Sequence, residues 1–411
     1  MGDSLIGWAL GGLVGQSYAP DVRPPSTRMT EETRLIHMGQ AAEPLARTVG
    51  PPIQRGSTVL LPDAAALYDD AHHQTYGRQG LAAQAALASA LAELENAREV
   101  ALYPSGLAAL TGAMLAVLKA GDEVLVVDTV YKPTRRFCDR VLRRFGVAVR
   151  YYDPGLDADE VGRLCTPATR LIVLESPGSL SFEMQDVPAI ARMARARGAF
   201  TLIDNTWAAG HLFKPLDHGV DISVQALTKY VGGHSDVFMG SAAARDPQVA
   251  RALSDGVLDL GWAVAPDDAY LMLRGLRTLA VRLARHGASG LEAARWLQTR
   301  PEVSQVLHPA LPGAPGHDLW ARDYAGTCGL FAFVLAPELS AAAFLDALQV
   351  FGLGFSWGGF ESLAIDCDPQ LKVRATPPEY GGALIRLHIG LENVGDLIVD
   401  LERGLAAARR G

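Results

Sequence analysis

From about residue 80 the chain alternates between stretches that carry apolar residues on one helical face and short runs that are apolar throughout. Residues 84–97 are rich in alanine and leucine, with Leu87, Leu91 and Leu94 on one face, and predict a helix. Residues 100–103 predict a strand, which Pro104-Ser-Gly-Leu-Ala-Ala109 turns into a second helix running to Leu118. The pattern then predicts strands over 123–128, 147–152, 171–175 and 200–203, with a basic amphipathic helix over 134–145 and another helix over 187–197. A further apolar run ends at Val224. Strands that are apolar throughout and separated by helices mean a parallel sheet covered on both faces, hence an α/β fold. In such sheets ligands collect at the carboxyl ends of strands. Residues 103–105 and 128–131, Ser176, Asp204 and Lys229 all fall there.

Residues 267–297 predict a long helical stretch, with breaks expected around Gly275 and at 287–290. Beyond it, 329–335 and 383–389 read as strands of period-two character, and 341–348 and 394–407 as helices. These predict a smaller α+β domain over 271–411, following a main domain over 80–270. Residues 5–14 are apolar but too short to span a bilayer and lack the charges of a secretory signal. Residues 1–28 are expected to be a flexible extension, dispensable or left by an upstream start, with Thr30 capping a first helix.

An apolar content of 49%, a charged content of 20% and a dispersed net charge of −8 argue against nucleic acid as a partner. Cys138, Cys165, Cys328 and Cys367 are far apart, which suggests neither a disulfide framework nor a zinc site and fits a reducing cytoplasm. The ten histidines form no metal-like cluster, and the side chains of adjacent His72 and His73 diverge, so no metal is expected.

The chain has only five lysines against 32 arginines, so Lys229, flanked by Thr228 and Tyr230 after a strand, asks for a reason that arginine could not satisfy. A partly desolvated lysine loses its proton and attacks a carbonyl; arginine does not. Asp204 ends the strand 25 residues upstream. A Schiff-base lysine with an upstream acid for a ring nitrogen is what pyridoxal 5′-phosphate requires. Taken singly, such a lysine is often merely solvated and such an aspartate often a helix cap. The N–H groups of Ser105, Gly106 and Leu107 at a helix start supply a phosphate site beside them.

Together with Asp204-Asn-Thr-Trp-Ala-Ala-Gly210, Gly233-His-Ser-Asp236, Arg274-Gly-Leu-Arg-Thr278, Leu307-His-Pro-Ala-Leu-Pro312, Ser356-Trp-Gly-Gly-Phe-Glu-Ser362 and Ile385-Arg-Leu-His-Ile-Gly-Leu-Glu392, these residues make the chain resemble the Cys/Met-metabolism family of pyridoxal-phosphate enzymes, in particular its bacterial cystathionine β-lyases. The resemblance runs from about residue 30 to 405. It implies the aspartate-aminotransferase-like transferase fold (fold type I), with a mostly parallel seven-stranded sheet. It also implies roles: Lys229, Tyr131 and Asp204 as the catalytic set, Lys229 carrying the Schiff base, Asp204 pairing with the ring nitrogen and Tyr131 stacking on the ring. Ser105, Gly106, Leu107 and Thr228 would hold the phosphate, joined by Tyr76 and Arg78 from a neighbouring subunit, on an arm spanning 29–79. Arg386 would bind the substrate carboxylate, with Ser356, Trp357 and Tyr131 nearby. A homo-oligomer, a dimer of dimers, follows.

Three departures stand out. Gly80 is followed by Leu81-Ala-Ala83 where the family has Thr-Pro-Thr. Gln79 stands where many lyases carry arginine, which bears on recognition of the substrate's far end. Leu227 stands where relatives have a small residue, in the phosphate cup.

Within the family the same lysine supports elimination at the β- or γ-carbon and γ-replacement. Relatives acting at the γ-carbon often carry an acid before the serine at 356 and leucine after it; Phe355 and Trp357 occupy those positions here, as in β-lyases, and Ser176-Pro-Gly-Ser-Leu also has the β-lyase form. The expected reaction is β-cleavage of L-cystathionine, with other cysteine thioethers or cystine, giving a thiol, pyruvate and ammonia. A γ-acting relative and a non-catalytic cofactor-binding regulator remain the alternatives.

Overall fold

The computed structural model describes residues 30–38, 48–69 and 74–409; residues 1–28 and His72–His73 of the sequence reading lie outside them. Seven strands form the main sheet: β1 (Glu99–Tyr103), β2 (Glu123–Val127), β3 (Ala148–Tyr152), β4 (Thr169–Glu175), β5 (Phe200–Asp204), β6 (Ile222–Gln225) and β7 (Gly240–Ala244). Their order is β1-β7-β6-β5-β4-β2-β3, and every pairing is parallel except those that β7 makes with β1 and β6. Helices on both faces bury β2 and β4 almost completely, which is why those strands read as unbroken apolar runs.

The helix predicted over 84–97 spans Ala82–Glu95, and Leu87, Leu91 and Leu94 are fully buried. The one predicted over 134–145 is irregular: regular over Lys132–Phe137, widened to a π-helix over Cys138–Leu142 and tightened over Arg143–Phe145. The sequence reading passed over the helix Ala158–Leu164, although Asp157 and Glu160 form a reciprocal capping box there.

The 267–297 stretch is two helices, Pro266–Leu276 and Leu279–Gln298, parted at 277–278. The expected break at 287–290 is absent. Gly287 and Gly290 sit inside the second helix, where a Cβ would lie 2.4 Å from Thr327 O and 3.0 Å from Cys328 O respectively, so they mark close packing instead.

A second, five-stranded sheet comprises β8 (Val303–Leu307), β9 (Leu330–Leu335), β10 (Gly352–Leu353), β11 (Leu363–Asp366) and β12 (Leu384–His388), in the order β10-β11-β12-β9-β8. The period-two pattern of β9 and β12 separates two cores rather than core from solvent. Phe331, Phe333, Ile385 and Leu387 pack into the smaller domain, while Leu330, Ala332, Val334 and Leu384 join the core of the main sheet. Arg386 and His388 lie on that second face, turned toward the main sheet. No helix among the described residues is long and apolar enough to cross a membrane.

Candidate active site

Lys229 follows β6 in a tight turn, where its N–H donates to Ala226 O (3.1 Å) and its carbonyl accepts from Gly233 N (2.8 Å). Its half-buried side chain crosses to the smaller domain, donating from Nζ to Ser356 Oγ at 2.9 Å and standing 5.3 Å from the Trp357 ring. Burial pulls this amine down to about 8; Arg386 pushes the same way and Asp204 opposes. Near-neutral conditions therefore hold an appreciable fraction of it as a nucleophile.

Two acids end neighbouring strands. Glu175 on β4 and Asp204 on β5 are register partners. Asp204 Oδ1 accepts the Thr206 N–H (3.1 Å) and hydroxyl (2.5 Å). Glu175 Oε2 accepts the Tyr131 N–H at 2.7 Å and Oε1 the Ser179 hydroxyl. Burial raises both carboxyls, Glu175 to about 8 with Asp204 adding repulsion, while Thr206 and Lys229 hold Asp204 down in part. Tyr131 leaves 44% of its surface exposed at the cleft, and burial followed by the charges of Asp204 and Glu175 raises its phenol.

Beside them begins the helix Gly106–Val117, whose N-cap, Ser105, accepts Ala108 N–H at 3.1 Å. That leaves the first N–H groups of the helix without intrahelical acceptors. Gly106 approaches the Lys229 turn so closely that a Cβ would fall 2.3 Å from Ala226 Cβ. The Thr228 hydroxyl at the same turn donates to Met239 O (3.1 Å) and accepts from Met239 N (3.0 Å). Leu227 is fully buried. On the opposite wall Arg386 donates from one nitrogen to the carbonyls of Phe355 and Ser356, both at 3.0 Å, while its buried Nε has no partner and burial lowers the guanidinium to about 10.

Lys229, Asp204, Tyr131, Ser356, Trp357 and Arg386 thus converge, beside the helix start at 105–107. Tyr76 and Arg78 do not join them within one chain. Both are exposed, Arg78 lies 5.3 Å from the Tyr76 ring, and it lines a separate cleft with Glu99, Leu102 and Trp262. Gln79 is occupied locally, its Oε1 accepting the N–H groups of Thr75 (2.8 Å) and Tyr76 (3.0 Å).

The profile of the Cys/Met metabolism PLP-dependent enzymes matches residues 32–406. The chain belongs to that family. It is 43% identical over 389 residues to a cystathionine beta-lyase of Bordetella avium, covering 92% of this chain and 98% of the relative. Identity to the cystathionine beta-lyase of Escherichia coli is 41% over 388 residues, 91% of this chain and 98% of that one. Among solved structures, the cystathionine gamma-lyase of Lactobacillus plantarum, complexed with L-serine, aligns with a TM-score of 0.87 at 30% identity, over 93% of this chain and 100% of its own.

The cleft fits the cofactor that this family uses. The cradle at Gly106 would be filled by any side chain, leaving backbone donors facing an anion. Burial raises Asp204 and Glu175 beyond what Lys229 and Arg374 offset, a deficit that a protonated ring nitrogen would help fill. The unpartnered Nε of Arg386 faces the same need for a carboxylate.

Sequence reasoning missed Glu175, Thr206, Ala226 and His388. Glu175 ends an apolar strand as Asp204 does, a signal that could have found it. Thr206 holds Asp204 from two residues away, whereas Ala226 and His388 act through contacts with residues distant in sequence, which no local pattern marks.

Proposed function

We propose that the chain is a pyridoxal-phosphate-dependent carbon–sulfur β-lyase that cleaves L-cystathionine, and with it other cysteine thioethers or cystine, to homocysteine or the matching thiol, pyruvate and ammonia, in methionine biosynthesis. The observation that carries this reading is the depressed Lys229 amine, set on Ser356 and beside Trp357. The β-lyase relatives at 41% and 43% identity support the choice over γ-chemistry.

When bound, pyridoxal phosphate supplies an electron sink for negative charge developing at the substrate's α-carbon. Asp204 would hold the ring nitrogen's proton, and Tyr131 would pack on the ring. Ser105, Gly106, Leu107 and Thr228 hold the phosphate with N–H and hydroxyl donors. Arg386 clamps the substrate carboxylate with its free nitrogens, and Ser356 and Trp357 fix the amino acid over Lys229. Neutral Lys229 takes the α-proton and delivers a proton to the departing sulfur.

The exposed Tyr76 and Arg78, outside the Lys229 cluster of their own chain, support a site completed by a neighbouring subunit, with 29–79 as the contacting arm ahead of domains over 80–270 and 271–411. A homo-oligomer, as a dimer of dimers, follows from that reading. Four free cysteines favour the cytoplasm.

The test is incubation of the cofactor-loaded protein with L-cystathionine, identifying both products, beside Lys229→Ala. Pyruvate with homocysteine, lost in the variant, is expected. Cysteine with 2-oxobutyrate would move the assignment to a γ-lyase, and no turnover would favour a binding role.

A further inference from the structure

Beneath Lys229 lies a group of buried rings that the mechanism above does not use. Tyr230 is fully buried, 5.5 Å from the Trp357 ring, 5.3 Å from His286 and 5.9 Å from His388. Both histidines are fully buried, with ring centroids 5.3 Å apart. His388 stands two residues after Arg386 on β12, so the two share a face of the strand.

His388 Nε2 lies 3.0 Å from Gly358 N, within the loop that carries Ser356 and Trp357. A backbone N–H always brings its hydrogen, so the Gly358 contact takes an Nε2 lone pair and places the ring proton on Nδ1, whereas the Gly359 carbonyl, 3.1 Å from the same Nε2, favours the other tautomer. That Nδ1 is buried without a partner. His286 is the complement. Its Nδ1 must donate to Ile389 O (2.8 Å), leaving a buried Nε2 lone pair unpartnered. The rings are adjacent, yet neither of these nitrogens bonds the other.

What His388 holds is pressed on Lys229. Gly358 has φ +84°, and a Cβ there would lie 2.9 Å from both Lys229 C and Tyr230 N. We infer that His388 is a positioning residue that pins Gly358 against the Lys229 backbone and so keeps Ser356 and Trp357 on the Lys229 amine. This rests on the reading of Lys229 as the reactive lysine. His388 itself stays neutral: burial, then the competing His286 ring and the charges of Arg386 and Lys229, drive it well below the usual histidine range, against the Gly359 carbonyl. Arg282, which donates to the Tyr230 (2.6 Å) and Val231 (3.2 Å) carbonyls, adds to the positive surroundings, and Glu361 opposes them at His286.

The test compares His388→Ala and His388→Gln with the wild type. Gln can place an oxygen where Nε2 stood. In full-length, cofactor-free protein, reductive methylation of Lys229 is followed against pH by mass spectrometry, which five lysines make simple. KM and kcat for the amino-acid substrate are measured on the loaded enzyme. The wild-type midpoint is expected at about 8. In His388→Ala it should rise by about one unit as water reaches the amine. KM should rise about tenfold, the effect of one buried N–H left unpaired. His388→Gln should restore most of both. A lower melting temperature with unchanged midpoint and KM would overturn the proposal. Should His388→Ala not fold, His388→Leu and His388→Gln carry the test, and equal midpoints in the two would overturn it. Retained cofactor and turnover in Lys229→Ala would instead count against the role of Lys229 itself.

Discussion

Gly106 and Ala226 come from separate strand ends and touch where an anion would sit. An alanine at 106 would put a methyl 2.3 Å from Ala226 Cβ and 2.8 Å from its Cα, which must push the helix start away from the Lys229 turn. Overpacking of this kind costs about 1–3 kcal/mol. Gly106→Ala should therefore lower the melting temperature and weaken pyridoxal-phosphate binding together, read by thermal melting and by cofactor titration. A variant with lowered stability but native cofactor affinity would mean that the contact is packing alone. At this scale the sequence was informative where chemistry is unusual: one of only five lysines in an arginine-rich chain and an aspartate at a strand end both drew notice. It was silent where the information is a contact. Nothing near Ala226 announces that residue 106 must lack a side chain, and nothing near His388 announces Gly358.

Elements are tied across the two sheets by single groups, and Asp128 is the clearest. Placed just beyond β2, it is 4% exposed, pairs with buried Arg135 and accepts the N–H groups of Ala375 and Thr376, each at 2.9 Å, from the smaller domain. Asp128→Ala would strand a buried guanidinium and two amides, a loss of about 3–5 kcal/mol for the broken pair. A marked drop in melting temperature is expected, with a raised KM because Tyr131 lies three residues on. An unchanged melt would show that the tie is dispensable. Helices and strands with strong periodicity were legible in the sequence, yet β7 was not. Its Gly-Ser-Ala-Ala-Ala run has no branched or aromatic residue, and it is a strand only because β1 and β6 flank it. Gly287 and Gly290 show the converse, glycines that suggest a break but serve close approach.

For the whole molecule, the alternation of patterns reveals the class of fold, whereas the order β1-β7-β6-β5-β4-β2-β3 depends on pairings between residues far apart and could not be read locally. Sharing of sites between subunits is testable at this scale. Arg78→Ala and Lys229→Ala chains, each inactive alone, should on co-expression regain about a quarter of wild-type activity, since a mixed dimer holds one site with both residues intact. No recovery in verified mixed oligomers would mean that Arg78 serves its own chain's site or none. Glu175 and Asp204, buried side by side, and the desolvated Lys229 and Arg386 have a practical outcome for anyone making the protein. A native state that is stabilised by what it binds is populated in proportion to the supply of that compound. Cells starved of vitamin B6 should yield less intact polypeptide from the same message, with degradation taking the difference, so nutrition of the host becomes a variable in its production.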